Sequence, residues 1–206
     1  HAHLKSPFRP TAKRLRSWSR TVTGLTPWVH CPSASGQTTT ARLVGPEIER
    51  RGVRLYHLDG DVVRPHLSKG LGFSREDRDA NILRIGFVSR LLTRHGAGVI
   101  VAAISPYAET RDMVREMILP VGRFVEVYVA TSLEECARRD VKGLYAKAFS
   151  GEIKEFTGVS DPYEAPEQAE IVVQTEGRTP EESAAFLMSE LERLDIIPPV
   201  LEEAVA

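Results

Sequence analysis

The run Ala97–Ile104, Ala-Gly-Val-Ile-Val-Ala-Ala-Ile, limits most strongly what this chain can become. Eight residues without a polar side chain fall well short of the roughly 20 that cross a bilayer. Nor do they alternate in a way that would leave one face for water. Such a run fits a strand buried on both sides, as in a parallel sheet covered by helices. Other largely apolar runs surround it, at Trp28–Cys31, Val53–Leu58, Arg123–Ala130 and Ile171–Val173. Helical patterns separate them. One runs from Thr38 to Arg51 and is stopped by Gly52. A second is opened by Ser74 and Asp77, a variant capping box, and runs to His95 before Gly96. Two more cover Leu133–Arg139 and Pro180–Leu194, while the polar stretch from Val141 to Pro166 shows no strong period. Alternating strands and helices imply right-handed crossovers and an α/β, doubly wound parallel β-sheet flanked by helices. Ligands bind such sheets at the carboxyl ends of the strands.

A length of 206 residues suits one domain with a full core. Cys31 and Cys136 lie far apart and form no metal or redox spacing, which points to a reduced, cytoplasmic protein. The six histidines show no ligand spacing either, so no protein-held zinc is expected. The net charge of −1 hides an asymmetry, because no Asp or Glu precedes Glu47 while Lys5, Arg9, Lys13, Arg14, Arg16 and Arg20 crowd the start. Residues 1–25 therefore read as a basic N-terminal arm or linker, and residues 26–206 as the folded domain. A basic arm can attract nucleic acid, and an Arg-rich, acid-free start resembles a transit peptide. The plainer reading is a solvated linker to something upstream, with neither membrane nor nucleic acid as a partner.

The segment between the first strand and the first helix is Cys31-Pro-Ser-Ala-Ser-Gly-Gln-Thr38. A phosphate loop reads G-x-x-x-x-G-K-[ST], with backbone N–H groups cradling phosphates and a lysine reaching the outer ones. Gly36 and Thr38 match, but Cys31 replaces the first glycine and Gln37 the lysine. Taken alone this is a failed motif, and an ordinary strand-to-helix turn is the stronger reading of it. Its position favours the functional reading, since a helix N-terminus attracts anions. Ser33, Ala34, Ser35, Gly36, Gln37, Thr38 and Thr39 are then the candidate ATP contacts, with Thr38 placed to meet Mg²⁺, weakly. Gln37 donates a hydrogen bond without a charge, and Pro32 has no N–H to give.

Further motifs follow in order. Strand two ends in Asp59-Gly-Asp61, with Arg64 after it. Next comes Leu71-Gly-Phe-Ser-Arg-Glu-Asp-Arg78, with Asn81 and Arg84 on the helix beyond. The third strand ends in Ile104-Ser-Pro-Tyr107. The polar stretch contains Lys142-Gly-Leu-Tyr145, then Gly151-Glu-Ile-Lys-Glu-Phe-Thr-Gly158, then Asp161-Pro-Tyr-Glu164. Asp61 could orient a hydroxyl or take its proton, or simply make an Asp-Gly turn. Arg64 and Arg78 offer guanidinium forks for phosphate or sulfate, or are solvated helix charges. Asn81 shares a helix face with Arg78.

In this order and spacing the motifs resemble the adenylylsulfate kinase family, from about Trp28 to Leu194. The resemblance implies a P-loop kinase-type fold with a lid segment, and ATP and Mg²⁺ as cofactors. It also implies transfer of the ATP γ-phosphate to the 3′-hydroxyl of adenosine 5′-phosphosulfate. By the same resemblance Asp61, Ser105 and Lys142 are catalytic. The substrate contacts it implies are Asp59, Arg64, Phe73, Arg78, Asn81, Ile104, Ser105, Pro106, Tyr107, Lys142, Leu144, Phe156 and Thr157. Phe73 and Phe156 would sandwich the adenine, Ser105 matches a position where serine can be phosphorylated, and Arg139 would contact the ATP base. Cys136 reads instead as helix core, on one face with Leu133 and Ala137.

Two functional readings stay open. One is a kinase whose altered loop impairs ATP use. The other is a non-catalytic nucleotide-binding domain of the kind carried by some ATP sulfurylases, where it senses the kinase product. A generic nucleoside kinase or a nucleic-acid-binding module leaves Phe156-Thr-Gly158 with Asp161-Pro-Tyr163 unexplained. By analogy with the family, an oligomer, or association with ATP sulfurylase, is expected.

Overall fold

The computed structural model describes residues 24–140 and 142–197. The basic arm expected over 1–25 lies almost wholly outside the described residues. Five strands, β1 (Leu25–His30), β2 (Leu55–Asp59), β3 (Gly98–Ala102), β4 (Arg123–Ala130) and β5 (Ile171–Gln174), form one sheet in the order β2-β3-β1-β4-β5. Every pairing is parallel. Seven helices connect or flank them among the described residues: α1 (Gln37–Arg50), α2 (Gly60–Leu67), α3 (Arg75–Arg94), α4 (Ala108–Ile118), α5 (Leu133–Arg139), α6 (Leu144–Phe149) and α7 (Pro180–Arg193).

Alternation along the strands feeds two cores. Val29, Val127, Val129, Ile171 and Val173 point to the face covered by α1 and α7, against Val44, Ile48, Leu187 and Leu191. Trp28, Val99 and Val101 point to the other face, against Ile82 and Ile85 of α3 and Val114 and Ile118 of α4. The doubly wound expectation therefore holds.

The element limits need correction. The first strand starts at Leu25, one residue before the expected domain boundary, and ends at His30, so Cys31 belongs to the loop. The second runs Leu55–Asp59 rather than Val53–Leu58, and the apolar run at Ala97–Ile104 forms a strand only from Gly98 to Ala102. Beyond Ala102 the chain must leave the sheet to build a turn. Three helices escaped the sequence reading. α2 holds both Gly60 and Pro65, yet Asp59 caps it by accepting from the Asp61 N–H. α4 carries a buried Arg111 on the face where an apolar residue would be expected. α6 has only six residues. Elsewhere local signals sufficed: Ser74 accepts from the Asp77 N–H and caps α3, and Thr179 forms a full capping box with Glu182 on α7. Cys136 is buried as expected, but Leu133 is exposed and does not join it in the core.

The seam between α3 and α4 is closed at Gly86, where an added Cβ would lie 2.8 Å from Val114 Cγ2. Two effects oppose each other in Gly86→Ala. Better helix propensity stabilises by about 1 kcal/mol, whereas overpacking a filled core costs about 1–3 kcal/mol. Val114 is fully buried and its branched side chain is stiff, so overpacking should win. Gly86→Ala is expected to lower Tm by about 2–4 °C, and an unchanged or raised Tm would show that the seam yields.

Candidate active site

The phosphate-loop segment leaves the buried end of β1 and enters α1 through Gly36, whose φ of +97° is left-handed. Ala34 also holds a positive φ, +62°. No side chain caps α1, so its first amides are left to face an anion. The loop is braced on several sides. Ser35 O–H donates to the Pro32 carbonyl at 2.8 Å, and Tyr145 O–H of α6 donates to the Ser33 carbonyl at 2.9 Å. Thr131 O–H reaches the Ser35 carbonyl at 3.4 Å.

Cys31 and Gln37, the two substituted positions, are joined to each other. The Cys31 S–H donates to Gln37 Oε1 at 2.8 Å. Burial pushes this thiol up to about 12, so at neutral pH it is protonated and able to donate. Thr38 O–H donates to Asp59 Oδ2 at 2.8 Å, and Thr39 is exposed.

Across the strand ends lies the second half of the site. Asp59 Oδ1 accepts from the Asp61 N–H at 3.0 Å, and Asp61 Oδ2 pairs with Lys142 Nζ at 2.6 Å. Both partners of this pair are well exposed, so solvent screens it and it adds little to stability. What it does is set an ammonium beside a carboxylate at the mouth of the site.

Arg64 Nη2 donates to the carbonyls of Leu71 and Gly72, at 3.0 and 2.6 Å. Its guanidinium lies 4.5 Å from the centre of the Phe73 ring. Phe73 itself is 55% exposed, a large aromatic surface available for stacking. Arg78 works as a clasp. Its Nε donates to the Phe73 carbonyl at 2.8 Å, Nη1 to Thr157 Oγ1 at 2.7 Å, and Nη2 to the Glu155 carbonyl. Phe156 sits edge-on to Tyr145, with centroids 4.9 Å apart, and Leu144 opens α6 behind the left-handed Gly143. The clasp thus joins the backbone at Phe73 to the residues on either side of Phe156. Asn81 Oδ1 accepts from Ser68 O–H. The Pro106 carbonyl accepts from the Glu164 N–H at 2.8 Å, Ile104 is half-buried, and Tyr107 O–H donates to Asp161 at 3.0 Å.

Two expected residues stand differently from their assigned roles. Ser105 is fully buried. Its Oγ accepts from Trp28 Nε1 at 3.0 Å and donates to the Ala103 carbonyl at 3.2 Å. The hydroxyl is thus engaged in the core rather than presented to a ligand or a modifying enzyme. Arg139 is bound to Glu135 and to Thr175 Oγ1 and O, at 2.8, 3.0 and 3.1 Å. It flanks the phosphate loop, with Nη1 3.5 Å from the Ser35 carbonyl.

Sequence reasoning missed a buried polar group below the site. Glu126 of β4 takes Arg111 Nε at 2.8 Å and Arg115 Nη2 at 3.0 Å. His30 Nε2 lies 3.0 Å from Glu126 Oε1, outside good hydrogen-bond geometry, while His30 Nδ1 meets Tyr163 O–H at 2.8 Å. One signal was available: Glu126 is the only charge in the otherwise apolar run Phe124–Ala130.

Comparison with known proteins decides the family. The sequence model of the adenylylsulphate kinase family matches residues 23–174. The adenylyl-sulfate kinase of Picosynechococcus sp. is 52% identical over 176 residues, which cover 85% of this chain and 98% of that protein. The chain belongs to the adenylylsulphate kinase family. Among solved structures of the family, the Mycobacterium tuberculosis APS kinase CysC in complex with AMPPNP and APS matches with a TM-score of 0.78. It is 40% identical, over 82% of this chain and 98% of that one. The hexameric APS kinase from Thiobacillus denitrificans matches at 0.68 and 34% identity, over 90% of this chain and 32% of that one.

The buried group is expected to make this chain's stability depend on acid. Burial alone would raise the Glu126 carboxyl, but His30, Arg111 and Arg115 outweigh it and hold it down to about 2, from an ordinary 4.5. A carboxyl depressed in the folded state stabilises above its ordinary value and loses that contribution as pH falls through the folded one. His30, kept low by burial, adds a loss that starts below its ordinary 6.5. Glu126→Gln should therefore be less stable than the wild type at pH 7, with the gap narrowing between pH 4.5 and about 2. Urea unfolding at pH 7 and pH 3 measures this, and a gap that stays constant would contradict it.

Proposed function

We propose that this chain is an adenylyl-sulfate kinase, transferring the γ-phosphate of ATP to the 3′-hydroxyl of adenosine 5′-phosphosulfate, with a phosphate loop that limits its use of ATP. The continuous line Thr38–Asp59–Asp61–Lys142 carries this reading, because it joins the phosphate loop to the acceptor half-site through contacts of 2.6–3.0 Å. Asp61 orients the acceptor hydroxyl and takes its proton as the oxygen attacks the γ-phosphorus. The bond from that phosphorus to the bridging oxygen breaks, and ADP leaves. Lys142 balances charge beside Asp61. A hydroxyl and a carboxylate oxygen together are hard oxygen donors that suit Mg²⁺, so Thr38 and Asp59 would hold it. When bound, the ion neutralises phosphate charge. Phe73 and Phe156 stack the adenine of the acceptor, and the segment 142–166 closes over it as a lid. Oligomeric assembly is part of the proposal, in keeping with the hexameric relative. So is a cytoplasmic setting, in keeping with two buried, free cysteines.

If Arg78 holds the acceptor pocket closed, Arg78→Ala should weaken adenosine 5′-phosphosulfate binding by about 1.5–3 kcal/mol. Calorimetry reads this directly. An unchanged affinity would make Arg78 a surface charge.

At Gln37 a neutral amide stands where an ammonium would face the β- and γ-phosphates. Losing one electrostatic donor costs on the order of 10²–10³ in turnover, about 3–4 kcal/mol. Gln37→Lys should raise kcat in an assay with ATP, Mg²⁺ and adenosine 5′-phosphosulfate. Cys31→Gly added to it should raise kcat further, by removing the thiol and letting the backbone approach the phosphates. A wild type already turning over at about 1–100 s⁻¹, the range of ordinary kinases, would refute the loop reading. The Cys31–Gln37 pair itself favours a second reading, a nucleotide-binding domain without turnover. Absence of turnover in the wild type and in both variants would establish that one.

A further inference from the structure

The acceptor half-site is built from two stretches distant in sequence, the turn 105–107 after β3 and the strap 155–164. They meet where the buried Tyr107 donates its O–H to Asp161 and the Ala108 N–H donates to Glu164 Oε2 at 2.7 Å. Beneath this meeting lies Arg111, only 3% exposed. Its Nη1 donates to the Ser105 carbonyl at 2.8 Å and its Nη2 to the Glu164 carbonyl at 2.8 Å. Its Nε donates to Glu126 Oε1, also at 2.8 Å. One guanidinium therefore holds a backbone carbonyl in each stretch and a carboxylate rooted in the sheet. Tyr163 adds a second tie, from the strap to His30 at the end of β1.

A buried ion pair is weak evidence for stability, since apolar residues of similar volume often serve as well. Apolar residues, however, cannot fix two carbonyls at set directions. A rigid planar fork can, and a lysine cannot reproduce it.

We infer that Arg111, backed by Glu126, His30 and Tyr163, is a positioning residue that sets the spacing of the two stretches forming the acceptor-nucleotide site. The inference rests on the acceptor reading proposed above. Arg115 is the natural control, because it shares Glu126 but otherwise bonds Glu170 and touches neither stretch.

The test compares the full-length wild type with Arg111→Lys, Tyr163→Phe and Arg115→Gln. Affinity for adenosine 5′-phosphosulfate is measured by calorimetry, KM for ATP by steady-state kinetics, and amide exchange over 155–164 by mass spectrometry. Arg111→Lys should weaken acceptor binding about 10-fold while KM for ATP changes less than about 2-fold, as expected when hydrogen bonds to one charged group are lost at one half-site only. Tyr163→Phe should show the same split to a smaller degree, and it carries the test should Arg111→Lys fail to fold. Exchange over the strap should quicken in both variants. Arg115→Gln should leave acceptor affinity and strap exchange unchanged. Acceptor and donor constants that move together, or an Arg115→Gln effect equal to that of Arg111→Lys, would mean general loosening and would overturn the inference. Wild-type binding that survives both Arg111→Lys and Tyr163→Phe unchanged overturns the inference alone. No acceptor binding by the wild type overturns the acceptor reading, and this inference with it.

Discussion

Strand β1 has neighbours on both edges and helices over both faces, and all six of its residues are buried. A strand in that position has no freedom to slip, because a one-residue shift would exchange Trp28 and Val29 between two different cores. Its carboxyl end is consequently held in place from both edges and both faces. The phosphate loop starts there, and β3 and β4 end beside it. The acceptor turn after β3 and the loop that follows β4 take their positions from the same register. The chemistry is arranged around an end that packing alone has located.

Charge is then distributed around that end unevenly. The proposed acceptor side is rich in guanidinium groups, with Arg64 held by backbone carbonyls, and Arg78 held by backbone carbonyls, by the Thr157 hydroxyl and by Asp161, whose Oδ2 lies 3.5 Å from its Nε. That arrangement orders both side chains, and the carbonyls that hold Arg64 leave its positive charge unneutralised. The donor side has exchanged a charge for a hydrogen bond between a thiol and an amide. Phosphoryl transfer depends on positioning and on balancing charge at the transferred group, and this asymmetry is what supports the proposal that the altered loop limits ATP use.

Legibility followed the range of the signal. Where a local pattern carries the information, the sequence reading and the structure agree to a residue or two. β4 and α5 came out with the expected limits, and the Ser74 cap opened α3 where it should. Where a residue's role depends on a distant partner, the reading failed. Ser105 looked like a hydroxyl beside a ligand, but Trp28, 77 positions away, takes it into the core. Arg111 drew no reading at all and α4 was missed with it, because its carboxylate partner lies on strand β4.

By itself, the sequence determined the parallel sheet, the succession of its strands with four of the seven described helices, the family and the two substitutions in the phosphate loop. Each of these rests on periodicity, capping or motif spacing, which are properties of neighbours along the chain. Only the tertiary structure decided that Cys31 and Gln37 bond to each other, that Arg78 closes on the strap, and that Arg111, Glu126, His30 and Tyr163 form one buried group. Those depend on strand order and on the packing of helices against the sheet. A buried charge is tolerable only where folding brings its partner within hydrogen-bond reach, and one-dimensional spacing does not record which residue that partner will be.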